Sequence, residues 1–316
     1  MPEISVIVPT YNRDYIVRET IDSILTQTLD DLEVLVVDDG STDNTKEVIG
    51  SIADTRVKYL RKGNTGPAGA RNFGLSKAEG QYVLFLDSDD FWPENYLEVM
   101  LSRLKQNSEF GGGYSPITVV HADGRREESY KRPDGKSGWL TADLFKRGFI
   151  WPSAAIFRSA VWEDFYFDEL LARTSEDSDA FLRLSTRTQL LFVPDVEAFH
   201  RMSPDSISGE EGVACSRMLS LERFYFKLGG DKILPPKMAR RRLSHACRKV
   251  AEDRRRKMAR NAALKLYKHA VRYWPYDMRL YAGLYKTLLL DRNEDPEPDW
   301  EMPEPLGDPV GTNRFP

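Results

Sequence analysis

Early in the chain, three short apolar runs each end directly in a polar cluster. Ile4–Val8 is rich in β-branched residues and runs into Pro9, Thr10, Tyr11 and Asn12. Leu32–Val37 stops at Asp38-Asp39-Gly40-Ser41-Thr42-Asp43, and Tyr82–Leu86 stops at Asp87-Ser88-Asp89-Asp90. Runs of this length and composition predict buried strands. Between them, residues 15–29 place Ile16, Ile21, Ile24 and Leu25 at helical spacing. A second helix is predicted over 45–52, a further strand at Val57–Leu60, and a helix over 67–78 with Pro67 in its first turn. This alternation predicts an α/β fold with a mostly parallel central sheet and right-handed crossovers. Ligands of such sheets bind beyond the carboxyl ends of the strands. The three polar clusters are therefore expected along one rim.

The pattern loosens from Glu109 to Pro194. Gly111-Gly112-Gly113-Tyr114 leads into a predicted strand at Ile117–His121, and Ala122-Asp123-Gly124-Arg125 reads as a hairpin turn. Further strands are expected at Ala154–Arg158 and Leu190–Val193, and a helix over 175–185. Residues 210–290 read as helices. From Lys237 to Arg292, Lys and Arg outnumber Asp and Glu several-fold. After Asp291 the composition turns acidic and Pro-rich, which predicts a flexible or surface-draped tail. The expected organisation is an α/β domain over 1–215, with halves at 1–108 and 109–215. A basic helical extension over 216–290 and the tail at 291–316 follow it.

Composition narrows the function classes. The 316 residues, 41% hydrophobic and 30% charged, describe an ordinary globular protein large enough for a sizeable core. A net charge of −4 and the lack of any recognised RNA or DNA module argue against a nucleic acid partner. The two cysteines, Cys215 and Cys247, have neither metal-ligand spacing nor a disulfide framework, so a reducing compartment is expected. No secretory leader is read at the start, and no run approaches the roughly 20 apolar residues of a membrane span. The expected location is cytoplasmic, with attachment limited to the inner membrane surface.

Each rim cluster has two readings. Asp87 and Asp89 offer carboxylate oxygens to a hard dication such as Mn²⁺ or Mg²⁺, which also bridges phosphates. They equally suit a solvated acidic turn before a helix. At Asp38 and Asp39, one carboxylate is free to accept a hydrogen bond from a base or ribose, while Asx-turn chemistry occupies the other. Small residues over Gly63–Ala70 let another group approach the backbone, and Arg71 supplies a cation. The stretch is neither a Walker A loop nor a dinucleotide fingerprint.

Taken together, ISVIVPTYNR, VLVVDDGSTDNT, NTGPAGARNFG and YVLFLDSDDFWP resemble the family 2 glycosyltransferases of GT-A fold, in order and spacing. The resemblance implies an inverting, metal-dependent transfer of a sugar from a nucleotide-diphosphate donor, a UDP-sugar above others, to a hydroxyl acceptor. It implies that Thr10, Tyr11 and Asp39 hold the nucleobase, that Pro9 joins them in binding the nucleotide, and that Arg71 lines the donor site. Asp87 then lies near ribose and metal, and Asp89 ligates the metal. SEDSDAFLRL is similar to the family's base-bearing segment, which makes Asp177 the general base with Glu176 and Asp179 in support. Without the resemblance, the same acids read as a favourable first helical turn capped by Ser175. Many relatives place a His where this chain has Ser203; His200, displaced by three positions, is a candidate replacement at the metal.

Family resemblance also points to polysaccharide or glycolipid synthesis, with a saccharide or lipid-linked acceptor. The basic stretch over 237–290 is read either as a surface meeting anionic lipid or as solvated helix faces. Two rival functions stand beside the transferase. A sugar nucleotidyltransferase would carry a Gly-rich basic loop after its first strand, where this chain has Pro9-Thr10-Tyr11-Asn12. A non-catalytic binding protein on a transferase scaffold would not need both acidic pairs.

Overall fold

The computed structural model describes residues 1–128, 135–171, 175–202, 212–291 and 294–306. They belong to two compact units, Met1–Ile207 and Ser208–Pro309.

In the first unit the chain runs β1 (Ile4–Thr10), α1 (Val17–Leu25), β2 (Leu32–Asp38), α2 (Thr45–Gly50), β3 (Val57–Arg61), α3 (Gly66–Leu75), β4 (Tyr82–Phe85) and α4 (Tyr96–Gln106). It continues with β5 (Phe110–Tyr114), β6 (Ile117–Val120), β7 (Arg126–Glu128), α5 (Thr141–Lys146), β8 (Ala155–Arg158), α6 (Glu176–Leu184), β9 (Gln189–Phe192) and β10 (Ala198–Arg201). Seven strands form one sheet in the order β3-β2-β1-β4-β8-β5-β9, and β10-β6-β7 form a smaller one. Only β8 runs antiparallel to its neighbours in the larger sheet. The expected hairpin joins β6 to β7 through Gly124 at φ +81°.

Every residue of β1 and β2 is buried, as a parallel sheet covered on both faces requires. Val6, Val8, Val34, Val36 and Leu84 pack with Ile21 and Ile24 of α1 and with Leu97 and Met100 of α4. Each fully buried side chain of this kind contributes about 1.5–3 kcal/mol. The chain leaves β1 with β2 on one side and β4 on the other. That is a topological switch point, where a parallel sheet opens a crevice.

Two glycine-rich stretches are explained by packing. A Cβ on Gly74 would stand 2.4 Å from Ile7 Cγ2, so α3 lies close on β1 only because Gly74 has no side chain. The triple glycine expected as a lead-in is strand β5 itself. A Cβ on Gly112 would meet the Phe157 ring at 2.5 Å and the Ile156 carbonyl at 2.9 Å. Sequence propensity disfavours such a strand, and the bulk of Phe157 on β8 overrides it.

The second unit is helical: α7 (Val213–Phe226), α8 (Gly230–Ile233), α9 (Pro236–Arg256), α10 (Arg260–Tyr273) and α11 (Met278–Leu288). The expected domain boundary at 215 falls inside α7. Leu243, Val250, Leu266, Tyr267 and Leu280 are buried here. Much of the basic charge faces solvent, including Lys237, Arg240, Arg241 and Lys249. The described part of the tail is draped on these helices: Glu297 takes Arg254 at 2.6 Å, and Asp295 accepts the Asn261 backbone N–H at 2.7 Å. No helix among the described residues is long and apolar enough to cross a membrane.

Candidate active site

Strand register puts the three polar clusters on one rim. Thr10 pairs with Asp38 at the ends of β1 and β2, and the Leu86 N–H beyond β4 donates to the Ile7 carbonyl at 3.0 Å. The loops after β1 and β2 are stitched together. Asn12 donates its backbone N–H to Ser41 Oγ at 2.9 Å, Arg13 to Thr45 Oγ1 at 3.0 Å, and Asp14 to Asp43 Oδ2 at 3.1 Å. These stitches were not anticipated; their signal is the run of short hydroxyl and acidic side chains in DGSTDNT.

The two aspartates after β2 divide their work. Asp38 Oδ1 accepts the Ser41 N–H at 2.7 Å, which makes the turn, and Oδ2 accepts the Tyr59 hydroxyl at 2.5 Å. Asp39 Oδ2 accepts the Gly66 N–H at 2.7 Å, and Oδ1 accepts from the Thr65 N–H at 3.0 Å and Lys62 Nζ at 3.1 Å. Asp39 thus caps α3 from outside, a placement its charge favours. Pro9 and Thr10 are buried at the end of β1, the Thr10 hydroxyl has no hydrogen-bond partner among the described residues, and Tyr11 stands 40% exposed just beyond it.

The four residues after β4 point different ways. Asp87 accepts from Arg71 Nη2 at 2.7 Å. Asp90, fully buried, accepts the Ser153 hydroxyl at 2.5 Å and pairs with His200 Nδ1 at 2.8 Å. Asp89 makes no hydrogen bond among the described residues. Burial and the nearby carboxylates of Asp90 and Asp87 push it up to about 7, against the pull of His200 and Arg13. Burial works against a charge on His200, but Asp90, Asp89 and Asp87 outweigh it and hold the imidazole above its usual value. The sequence did not anticipate how His200 arrives. Phe91 and Phe199 exchange backbone hydrogen bonds at 3.0 and 3.1 Å and stack their rings at 4.9 Å, which clamps β10 to the acidic turn.

Arg71 joins this rim to α6. Its guanidinium gives Nη2 to Asp87 and Nη1 to Glu176 Oε1, each at 2.7 Å, across 105 residues of sequence in the second case. Burial disfavours the cation, but Asp87, Glu176 and Asp177 more than offset it and raise its pKa. Burial likewise raises Glu176, with Arg71 pulling the other way. With both arms bound to carboxylates, Arg71 acts as a brace between the two acidic segments. Asp177 lies beside that brace, partly exposed, with Oδ1 on the Ser178 N–H at 2.6 Å. Asp179 turns inward to Arg183 Nε, one turn further along α6, at 2.6 Å, and Arg183 Nη2 donates to the Tyr166 carbonyl at 3.0 Å. Ser175 does not cap α6 as expected. Its side chain makes no capping bond, and its backbone is left-handed at φ +68°. Such a conformation costs about 1–3 kcal/mol in a non-glycine residue and persists where the surroundings impose it, here directly before Glu176 and Asp177. Thr174 and Ser203 lie outside the described residues.

The sequence model of glycosyl transferase family 2 matches residues 5–165, from β1 past β8. The chain belongs to that family. This family 2 member is 33% identical over 181 residues to a Campylobacter jejuni protein named GalNAc(5)-diNAcBac-PP-undecaprenol beta-1,3-glucosyltransferase, covering 54% of this chain and 56% of that one. It is 42% identical over 106 residues to an Escherichia coli UDP-Glc:alpha-D-GlcNAc-diphosphoundecaprenol beta-1,3-glucosyltransferase, covering 33% and 42%. The chain spans less than half the length of uncharacterized glycosyltransferases from Rickettsia and Haemophilus influenzae that it also matches, 27% for Rickettsia bellii. The crystal structure of S. aureus TarS 1-349 in complex with UDP superimposes with a TM-score of 0.63 at 22% identity, covering 91% of this chain and 88% of that one. The fold is GT-A, with helices following the sheet domain.

Proposed function

We propose that this family 2 member is an inverting glycosyltransferase. It moves a sugar from a UDP-sugar to a hydroxyl of a saccharide carried on a lipid diphosphate. The carrying observation is the Arg71 brace, whose two arms put the donor-end acid Asp87 and the α6 acid Glu176 on one guanidinium. Asp177, adjacent to Glu176, is the general base that takes the acceptor proton as its oxygen attacks the anomeric carbon. Such a base contributes about 10²- to 10⁴-fold. Displacement is direct, so inversion follows and no protein nucleophile is needed.

A divalent cation, Mn²⁺ or Mg²⁺, fits the residues after β4. Asp89 has no hydrogen-bond partner among the described residues and is crowded by like charge, which a hard dication would relieve. Asp89 and Asp87 would hold it. His200 Nε2 would face the same side, with Asp90 fixing the ring as partners of metal-binding histidines do. When bound, the cation supplies charge neutralisation for the departing diphosphate. Tyr11 and Thr10 would flank the uracil, with Asp39 near it; the uridine assignment draws on the UDP in the names of the Escherichia coli relative and the S. aureus structure. The acceptor assignment draws on the undecaprenol diphosphate in the two relatives' names.

A lipid-linked acceptor would be met at the inner membrane surface. Met278, Tyr281, Tyr285 and Leu288 of α11 are exposed at helical spacing, beside exposed Arg279 and Lys286. An apolar face edged by cations suits anionic lipid. The test of the donor assignment is a thermal-shift panel of nucleoside diphosphates with and without Mn²⁺. UDP at about 100 times its Kd should stabilise by roughly 2.7 kcal/mol, and more with Mn²⁺ than without. Equal shifts from all bases, or none, would defeat the reading.

A further inference from the structure

Both cysteines of the chain lie in the helical unit, and the family chemistry uses neither. Glu222 of α7, Cys247 of α9 and His269 of α10 present one ligand atom each, all within 4.8 Å of one another. A single oxygen, Glu222 Oε1, takes Cys247 Sγ at 3.6 Å, His269 Nε2 at 2.9 Å and the Tyr273 hydroxyl at 2.9 Å. Three donors on one oxygen exceed its two lone pairs. Three potential ligand atoms of different chemistry thus converge within 4.8 Å on three separate helices. The other cysteine, Cys215, sits on α7 seven positions before Glu222, hence on the same helix face. It interacts electrostatically with both Glu222 and Cys247.

We propose that Glu222, Cys247 and His269 form a structural site for a borderline-soft dication, Zn²⁺ by its chemistry. One thiolate, one imidazole and one carboxylate form a nitrogen–sulfur–oxygen set that Zn²⁺ accepts and that Mg²⁺ or Mn²⁺ does not favour. On binding, the Cys247 thiol releases its proton to solvent. The imidazole offers its Nε2 lone pair and keeps its proton on Nδ1, and the carboxylate loses nothing. Tyr273 then remains as a hydrogen-bond donor to the ligating carboxylate. Cys247 is fully buried, whereas the Glu222 and His269 side chains are 15% and 24% exposed, so a cation enters from their side. The site would tie α7, α9 and α10 together.

The test is titration of the tag-free full chain with Co²⁺, followed by displacement with Zn²⁺. We expect one thiolate-bound Co²⁺ per chain, counted from a thiolate-to-cobalt charge-transfer band, which Zn²⁺ abolishes. Cys247→Ser should remove the band. His269→Gln, at a partly exposed position, should weaken Co²⁺ binding at least 10-fold and keeps the test valid if the buried variant fails to fold. No band in the wild type, or a band unchanged in both variants, overturns the proposal. The acidic rim contains no sulfur, so this signature cannot come from the donor site. A chain that proved inactive as a transferase would still show it.

Discussion

Glu33 stands near the start of β2 and Asp89 just beyond the end of β4, and the sheet treats these two carboxylates differently. Glu33 is buried with partners on both oxygens: the Ser5 hydroxyl at 2.5 Å and the Glu79 N–H at 2.8 Å on Oε1, and Lys58 Nζ at 2.8 Å on Oε2. Burial alone would raise it, but the hydrogen bonds of Lys58, Ser5 and Glu79 together hold it below its ordinary value. Asp89 has like charges for neighbours, no hydrogen bond among the described residues, and a pKa of about 7. The first carboxylate stabilises the fold. The second costs the fold energy and is left available to something that binds. In the function proposed here, the compensated acid serves the structure and the uncompensated acid serves the cation.

Replacing Asp89 tests that contrast most severely. Asp89→Asn should lower kcat by about 10³-fold, the scale of losing an electrostatic contact made to developing charge. It should leave the melting temperature unchanged or higher, because a repulsion has been removed. Steady-state kinetics beside calorimetry would read both. Arg71→Met should do the reverse in stability. It strands Glu176 and Asp87, and breaking a buried pair costs about 3–5 kcal/mol, visible in urea denaturation. Asp90→Asn should loosen His200 and weaken Mn²⁺ binding by about 10- to 100-fold, read by metal titration of the nucleotide-bound protein.

The smallest effect belongs to Glu33. Glu33→Gln should cost about 1.5–3 kcal/mol at neutral pH, the range for hydrogen bonds to a charged group. Its pKa is depressed in the folded state. Its stabilisation is therefore present above the ordinary value of 4.5 and is lost as pH falls through the lower folded value. The stability gap between wild type and variant should close on acidification. A gap that stayed constant to low pH would show that the carboxylate is not what the sheet uses.

Much of this was legible in the sequence because it is local. β1, β2 and β4 announced themselves as short apolar runs, and the shared rim of their carboxyl-end clusters followed from the alternation of strands and helices. What the sequence concealed was pairing at long range. Nothing in the chain marks Arg71 as the partner of Glu176, or Asp90 as the partner of His200, 110 residues away. The triple glycine of β5 was misplaced because strand propensity says nothing of Phe157 across the ladder. Ser175 looked like a cap, yet its backbone is left-handed and its side chain makes no capping bond. Cys215 and Cys247 showed no ligand spacing because three separate helices bring the candidate ligands together.

In the proposed reaction, donor binding and acceptor deprotonation share one cleft, with Asp177 as the base. Its most direct test is Asp177→Asn, measured for Mn²⁺-dependent UDP binding and for sugar transfer on the same preparation. The predicted result is unchanged UDP affinity with transfer down at least 10²-fold. Transfer at the wild-type rate in that variant would contradict the account.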